Sequence, residues 1–167
     1  QIIGVNSLKE TNYSVMGDRI ETGTFCVAAC LTKVNLLIRG FDPTLIQTEL
    51  DLLKKMGAKL ETNKNEIHIK GPKKIKKISH IVTKEYGGLG LPTDLQPQFM
   101  VLLCKANGIS SITENIFLSR FMHTMELQRL GAKIQIKGSK ATIEVNTNFI
   151  GAEVMSSDLR ASAALVL

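Results

Sequence analysis

Apolar positions along the chain pass from strand-like to helical spacing and back, and the whole cycle then recurs. Between residues 19 and 32 apolar and small side chains occupy most of the helical surface, including Phe25-Cys26-Val27-Ala28-Ala29, which predicts a helix buried on most sides. Leu36-Leu37-Ile38 predicts a short strand. Asp42-Pro43 then supplies an N-cap followed by proline at the first helical position. Leu45, Ile46, Leu50, Leu53 and Met56 form one apolar stripe, and Gly57 closes the helix, so this second helix is amphipathic and lies outside. Strands over 59–62 and 66–70 flank the Asn63-Lys64-Asn65 turn, the second alternating Ile67 and Ile69 with His68 and Lys70. With a short strand over 13–16 in front, the unit reads βαβαββ.

The same order returns downstream, with a strand over 81–83, a helix over 94–106, a strand over 109–113, a helix over 120–130, and strands over 133–137 and 141–145. The segment Glu49-Leu50-Asp51-Leu52-Leu53-Lys54-Lys55-Met56-Gly57-Ala58-Lys59-Leu60 is echoed by Glu126-Leu127-Gln128-Arg129-Leu130-Gly131-Ala132-Lys133-Ile134. Asp18 stands 39 residues before Gly57 and Asp94 stands 37 before Gly131, so the spacing repeats as well. A third aspartate, Asp158, precedes Ala161-Ser162-Ala163-Ala164-Leu165-Val166-Leu167, where a third unit stops inside its first helix. The sequence therefore predicts one α/β lobe over 1–167, with repeat 1 over about 13–71, repeat 2 over about 80–146 and a partial repeat 3 over about 150–167. A chain ending mid-helix is expected to be a piece of a longer protein.

Composition narrows the class without choosing a function. With 44% apolar and 22% charged residues, 167 residues can bury one sizeable core, and no run of about 18 apolar residues suggests a membrane span. The start Gln1-Ile2-Ile3-Gly4 has neither the basic nor the apolar stretch of a signal peptide. Cys26, Cys30 and Cys104 lie inside apolar runs and are odd in number, which predicts buried thiols and a reducing, cytoplasmic compartment. No second Cys/His pair follows at zinc-ligand spacing, and His68, His80 and His123 are scattered, so no metal site is expected.

A net charge of +6 invites a nucleic-acid reading, with Lys73, Lys74, Lys76 and Lys77 as its densest cluster. That cluster follows Gly71-Pro72, and no aromatic residues alternate with it to stack on bases; a solvated turn is the expectation, with no nucleic-acid partner. A basic balance equally suits a small substrate carrying several negative charges.

If the units pack about a pseudo-threefold axis, the three most apolar helices go to the centre with their N-termini pointing the same way. Such ends carry unsatisfied N–H groups and partial positive charge, which attract phosphate or carboxylate. Arg19, Arg120 and Arg160 would add to that face, and arginine can grip a carboxylate with two parallel hydrogen bonds. Asp18, Asp94 and Asp158 are then either N-caps alone, each worth typically about 1 kcal/mol, or members of a site. Around Asp94 the Gly-rich run Gly87-Gly88-Leu89-Gly90-Leu91-Pro92-Thr93 favours a site, because a side-chain-poor loop lets a ligand approach the backbone. It matches neither the Walker A nor the dinucleotide pattern.

Four segments carry a family resemblance: Asp18-Arg19-Ile20-Glu21-Thr22-Gly23-Thr24-Phe25; Leu91-Pro92-Thr93-Asp94-Leu95-Gln96-Pro97-Gln98-Phe99; Thr113-Glu114-Asn115-Ile116-Phe117-Leu118-Ser119-Arg120-Phe121-Met122-His123; and Ser157-Asp158-Leu159-Arg160-Ala161-Ser162-Ala163. In this order, over nearly the whole chain, they resemble the enolpyruvyl transferases of the UDP-N-acetylglucosamine 1-carboxyvinyltransferase type. The resemblance implies a two-lobed enzyme whose lobes are inside-out α/β barrels of three βαβαββ units. It implies phosphoenolpyruvate and UDP-N-acetylglucosamine as substrates and no cofactor. The family's reactive cysteine and phosphate-binding lysine fall in the other lobe. Asp94 matches the favoured general base, which contacts the attacking sugar hydroxyl. Ile116 and Phe117 match positions lining the UDP-sugar site, and Arg120 and Arg160 match arginines at the phosphoenolpyruvate end. Asp18 and Asp158 match aspartates close to the reacting centre, with capping or arginine-orienting as equal alternatives. Leu91 stands where the family carries an aromatic residue, and Leu118-Ser119 where it carries Glu-Asn.

Two other functions are compatible with a βαβαββ repeat. One is a nucleic-acid protein like the RNA 3′-phosphate cyclases, although no nucleotidylation motif is present. The other is a non-catalytic lobe that only packs on a partner, for which all three aspartates would be replaceable by Asn or Ser.

Overall fold

Asp18 starts the first helix by physical necessity. Its carboxylate accepts the backbone N–H groups of Ile20 at 2.7 Å and Glu21 at 3.1 Å, satisfying donors that have no partner inside a helix. Helix α1 (Arg19–Thr32) then runs to Lys33, whose left-handed backbone returns its N–H to the Ala29 carbonyl. In the computed structural model, which describes residues 2–85, 87, 90–145, 147–156 and 158–167, the predicted elements follow in nearly the expected order. Tyr86, Gly88 and Leu89 of the Gly-rich loop, and Ser157, lie outside the described residues.

Strand β1 (Asn35–Arg39) leads to the Asp42 cap, a 3-10 turn over Pro43–Ile46 and helix α2 (Gln47–Lys55). Gly57, at φ +104°, makes the turn into β2 (Lys59–Asn63) and β3 (Glu66–Lys70) at a conformation that favours glycine. The exposed lysines 73, 74, 76 and 77 follow as a loop pinned by buried Ile75. Strands β4 (Ile81–Lys84) and β5 (Leu91–Pro92) bracket the Gly-rich loop, and a 3-10 turn over Thr93–Leu95 opens helix α3 (Gln96–Cys104). The chain continues through β6 (Ser110–Thr113), α4 (His123–Arg129), β7 (Ile134–Lys137), β8 (Lys140–Ile143) and α5 (Leu159–Val166).

The strands form two sheets, β1-β3-β2 and β5-β4-β6-β8-β7. The sets β1-β3-β2 and β6-β8-β7 share one antiparallel order, while β4 joins β6 and β5 in parallel. Residues 13–16, expected as a strand, are not one. Tyr13, Val15 and Met16 are exposed, and the free edge of β1 has no strand beside it among the described residues. A strand exists only through its partner.

Helices α1, α3 and α5 lie inside and the sheets outside, the inside-out α/β arrangement, while amphipathic α2 and α4 each keep an exposed face. The centre belongs to α3, every residue of which is buried, and which packs between α1 and α5. The three inner helices are therefore unequal: α5 buries only Ala161 and Ala164, and leaves Leu159 and Val166 largely exposed. Phe99, Leu102 and Leu103 of α3 are fully buried, each such side chain contributing roughly 1.5–3 kcal/mol of apolar burial. Cys26, Cys30 and Cys104 share this core, and burial pushes each thiol up to about 12, which keeps them protonated and inert.

Candidate active site

At one end of the helix core, Arg120 reaches across to two of the three aspartates. Its Nη1 donates to Asp94 Oδ1 at 2.9 Å and to Thr93 Oγ1 at 3.1 Å, and its Nε lies 3.8 Å from Asp158 Oδ2. The guanidinium is largely buried, where a charge-assisted bond is stronger than at an open surface. The Phe117 ring lies beside it, 5.5 Å from centroid to the guanidinium carbon. Arg120 does not begin helix α4, as expected from its sequence, but sits in the turn before it, its N–H bonded to the Phe117 carbonyl at 2.9 Å.

The three aspartates differ in what their side chains do. Asp158 caps α5 by accepting from the N–H groups of Arg160 at 2.6 Å and Ala161 at 2.9 Å, as Asp18 caps α1. Asp94 lies inside the 3-10 turn and caps nothing; its one hydrogen bond among the described residues is from Arg120, through Oδ1. A cleft of about 530 Å³ is lined by Asp18, Arg19, Asp94 and Arg160, with Gly17 and Leu45. The cleft thus joins Asp18, Asp94 and Arg160 directly, and Arg120 and Asp158 flank it through their contacts. Ile116 and half-exposed Phe117 do not line that cleft; they form the adjoining turn.

Backbone N–H groups of Glu21 and Ile20 hold the Asp18 carboxyl below the usual 3.8. For Asp158, burial pushes upward, but the Ala161 and Arg160 N–H groups, with Arg120 and His123, outweigh it and hold the carboxyl low. His123 feels the charges of both Asp158 and Arg120 and is 1% exposed, with neither ring nitrogen hydrogen-bonded among the described residues. Burial lowers its pKa to about 4, so the ring is neutral near neutrality. No cluster of three or more His, Cys, Asp or Glu among the described residues could hold a metal ion.

One residue that sequence reasoning passed over is central. Glu114 is completely buried, and its carboxylate accepts from Thr83 Oγ1 at 2.7 Å, Thr93 Oγ1 at 3.0 Å, Ile116 N at 2.9 Å and Phe117 N at 3.2 Å. Its sequence signals are slight: a charged residue directly after a short strand, inside the family-like segment over 113–123 and two positions before Ile116.

The model of the family described as EPSP synthase (3-phosphoshikimate 1-carboxyvinyltransferase) matches residues 1–167. The chain belongs to the EPSP synthase family. Among its relatives, a UDP-N-acetylglucosamine 1-carboxyvinyltransferase of Pelagibacter ubique is 58% identical over 167 residues, covering 100% of this chain and 39% of that protein. One of Desulfosudis oleivorans, with the same name, is 48% identical over 166 residues, 99% of this chain and 39% of its own length. The chain thus spans about two fifths of the relatives it matches, 39% in both cases. Among solved structures, the enolpyruvyl transferase NikO from Streptomyces tendae superposes with a TM-score of 0.80 at 24% identity, over 91% of this chain and 36% of that one. EPSP synthase from Acinetobacter baumannii does so with a TM-score of 0.72 at 24% identity, over 90% and 38%. These two establish the family fold, an α/β lobe with its helices inside.

Proposed function

We propose that this EPSP synthase-family chain forms one lobe of an enzyme that transfers the enolpyruvyl group of phosphoenolpyruvate to the 3-hydroxyl of UDP-N-acetylglucosamine, releasing phosphate, in peptidoglycan precursor synthesis. Asp94 carries the reading. It alone of the three helix-start aspartates has no capping bond, and it faces a cleft that also holds Arg160. The 58% identity to a protein of that name supports the choice of acceptor.

A neutral sugar hydroxyl is a poor nucleophile, and a carboxylate within hydrogen-bond reach can take its proton as the new C–O bond forms. Asp94 Oδ2 has no hydrogen-bond partner among the described residues, so it is free for this task while Oδ1 is held by Arg120. The sugar oxygen adds to C2 of phosphoenolpyruvate and C3 takes up a proton, giving a tetrahedral phospholactoyl ketal. Loss of that proton from C3 with cleavage of the C2–O bond to phosphate then restores the double bond as an enol ether. Arg120 and Arg160 suit the substrate carboxylate and the charge that develops during addition. Ile116 and Phe117 would form the wall met by the sugar nucleotide, and Asp18 and Asp158 would keep the helix ends and Arg120 in place. The partner is the other lobe of the same enzyme; neither a nucleic acid nor a membrane is needed.

The test is the full-length protein supplied with phosphoenolpyruvate and either UDP-N-acetylglucosamine or 3-phosphoshikimate. Phosphate release equal to enolpyruvyl sugar formed, with the first acceptor only, is the expected result; release with 3-phosphoshikimate alone would overturn the assignment. The 167 residues by themselves should give no turnover with either.

A further inference from the structure

We infer that Glu114 is a positioning residue: its buried carboxylate orients the Thr93 hydroxyl toward Arg120 and locks the turn at Ile116 and Phe117 to the same support. The inference rests on the function proposed above for its kinetic consequences, though not for its geometry. An ionised carboxylate only accepts, and all four partners of Glu114 donate, two hydroxyls and two backbone N–H groups. A threonine hydroxyl has one hydrogen. Thr93 gives it to Glu114 Oε2 at 3.0 Å, which leaves the oxygen's lone pairs to accept from Arg120 Nη1 at 3.1 Å. The direction of the chain is thereby set, from Arg120 through Thr93 to Glu114, and the same Nη1 donates to Asp94 at 2.9 Å.

The other oxygen does a second job. Glu114 Oε1 gathers Thr83 Oγ1 from β4 and the N–H groups of Ile116 and Phe117, while Thr83 Oγ1 accepts the Asn115 N–H at 2.9 Å. The turn that carries Phe117 beside Arg120 therefore hangs on the carboxylate that holds Thr93. Glu114 is anchored in turn by its own N–H, which donates to the Ser139 carbonyl at 2.8 Å. Because an unsatisfied buried donor is costly, a partly satisfied network of this kind is unstable and the whole set tends to be kept or lost together.

Two substitutions separate positioning from mere packing. In Glu114→Gln, an amide oxygen facing Thr83 and the two N–H groups forces the NH2 toward Thr93, which must then accept from both sides and no longer has its hydroxyl direction fixed. Thr93→Val removes the same link and keeps the shape, and Thr93→Ser restores the hydroxyl. In the full-length enzyme, Glu114→Gln and Thr93→Val should each lower kcat by about a hundredfold, the scale of a small misplacement in a site. Only Glu114→Gln should also raise KM for the sugar nucleotide, because it alone disturbs the turn. Thr93→Ser should regain most of kcat, and the double variant should fall no further than the worse single one. Losses that multiply in the double variant, or kcat and KM unchanged in Glu114→Gln, would overturn the inference.

A crystal structure of Glu114→Gln reads the same link with no reaction required. Arg120 drawn away from Thr93 is expected, and an unmoved Thr93–Arg120–Asp94 arrangement would refute the positioning role. If the unmodified enzyme has no enolpyruvyl transfer activity, the functional reading fails and this structural arm still decides the role of Glu114.

Discussion

Arg120 Nη1 stands 2.9 Å from Asp94 Oδ1 while its Nε faces Asp158 Oδ2 at 3.8 Å, so one guanidinium spans the start of α5 and the 3-10 turn that opens α3. The two aspartates are 64 positions apart in sequence. Only a planar fork can face both, because a lysine presents one point charge on a flexible stem.

Replacing Arg120 by Lys keeps the charge and removes the fork. In the full-length protein, kcat should fall by about a hundredfold from the misplaced Asp94 and substrate, while the melting temperature moves by only a few degrees. Steady-state kinetics beside a thermal melt measures both. Near-normal kcat would mean that the fork does not matter.

Two pH windows of stability should be separable. His123 has its pKa lowered from 6.5 to about 4 by burial, so between these values the unfolded chain binds a proton that the folded chain resists. Stability is full above pH 6.5 and falls as the pH approaches 4, by on the order of 3 kcal/mol for a shift of this size. Asp158 and Asp18 are held below 3.8, so their contributions are present above that pH and disappear beneath it as the carboxyls protonate. Denaturant melts across pH 3 to 8 should show both steps. His123→Gln should remove the upper step alone.

Gly23 and Gly71 should fail differently as alanines. A Cβ at Gly23 would come 2.5 Å from Leu95 Cδ1, the tip of a side chain next to Asp94 in sequence. A Cβ at Gly71 would run into the backbone of Ala29 and Lys33 at the end of α1. Overpacking costs typically about 1–3 kcal/mol, with the upper end expected where backbone must move. Gly71→Ala should therefore lower the denaturation midpoint more, and Gly23→Ala should lower turnover more, by displacing Leu95 and Asp94 with it. Equal effects on both readouts would contradict this division.

Sequence periodicity located α1, β1 and both hairpins because their signals are local: the Asp18 cap, the Asp42-Pro43 start and alternation through Ile67 and Ile69. It misplaced the start of α4, since residues 120–122, expected in the helix, belong to turns over 118–122. Residues 13–16 have strand-like composition, and composition cannot supply the missing partner at the edge of β1. Three aspartates look alike by spacing; the Gly-rich loop already sets Asp94 apart in the sequence, and the geometry adds that Asp18 and Asp158 are caps while Asp94 is not. Glu114 was invisible because its partner Thr83 lies 31 residues away and the meaning of the contact arises from burial. The family-like segments name Asp94, Arg120, Asp158 and Arg160 as candidates, and the fold brings these four side chains to one end of the helix core.

The most direct test of Asp94 as the base is Asp94→Asn in the full-length protein, followed by turnover and by sugar-nucleotide binding in separate experiments. Turnover should fall by about a hundredfold or more, as for loss of a general base, with UDP-N-acetylglucosamine affinity staying within an order of magnitude. Turnover equal to that of the unmodified protein would contradict the assignment.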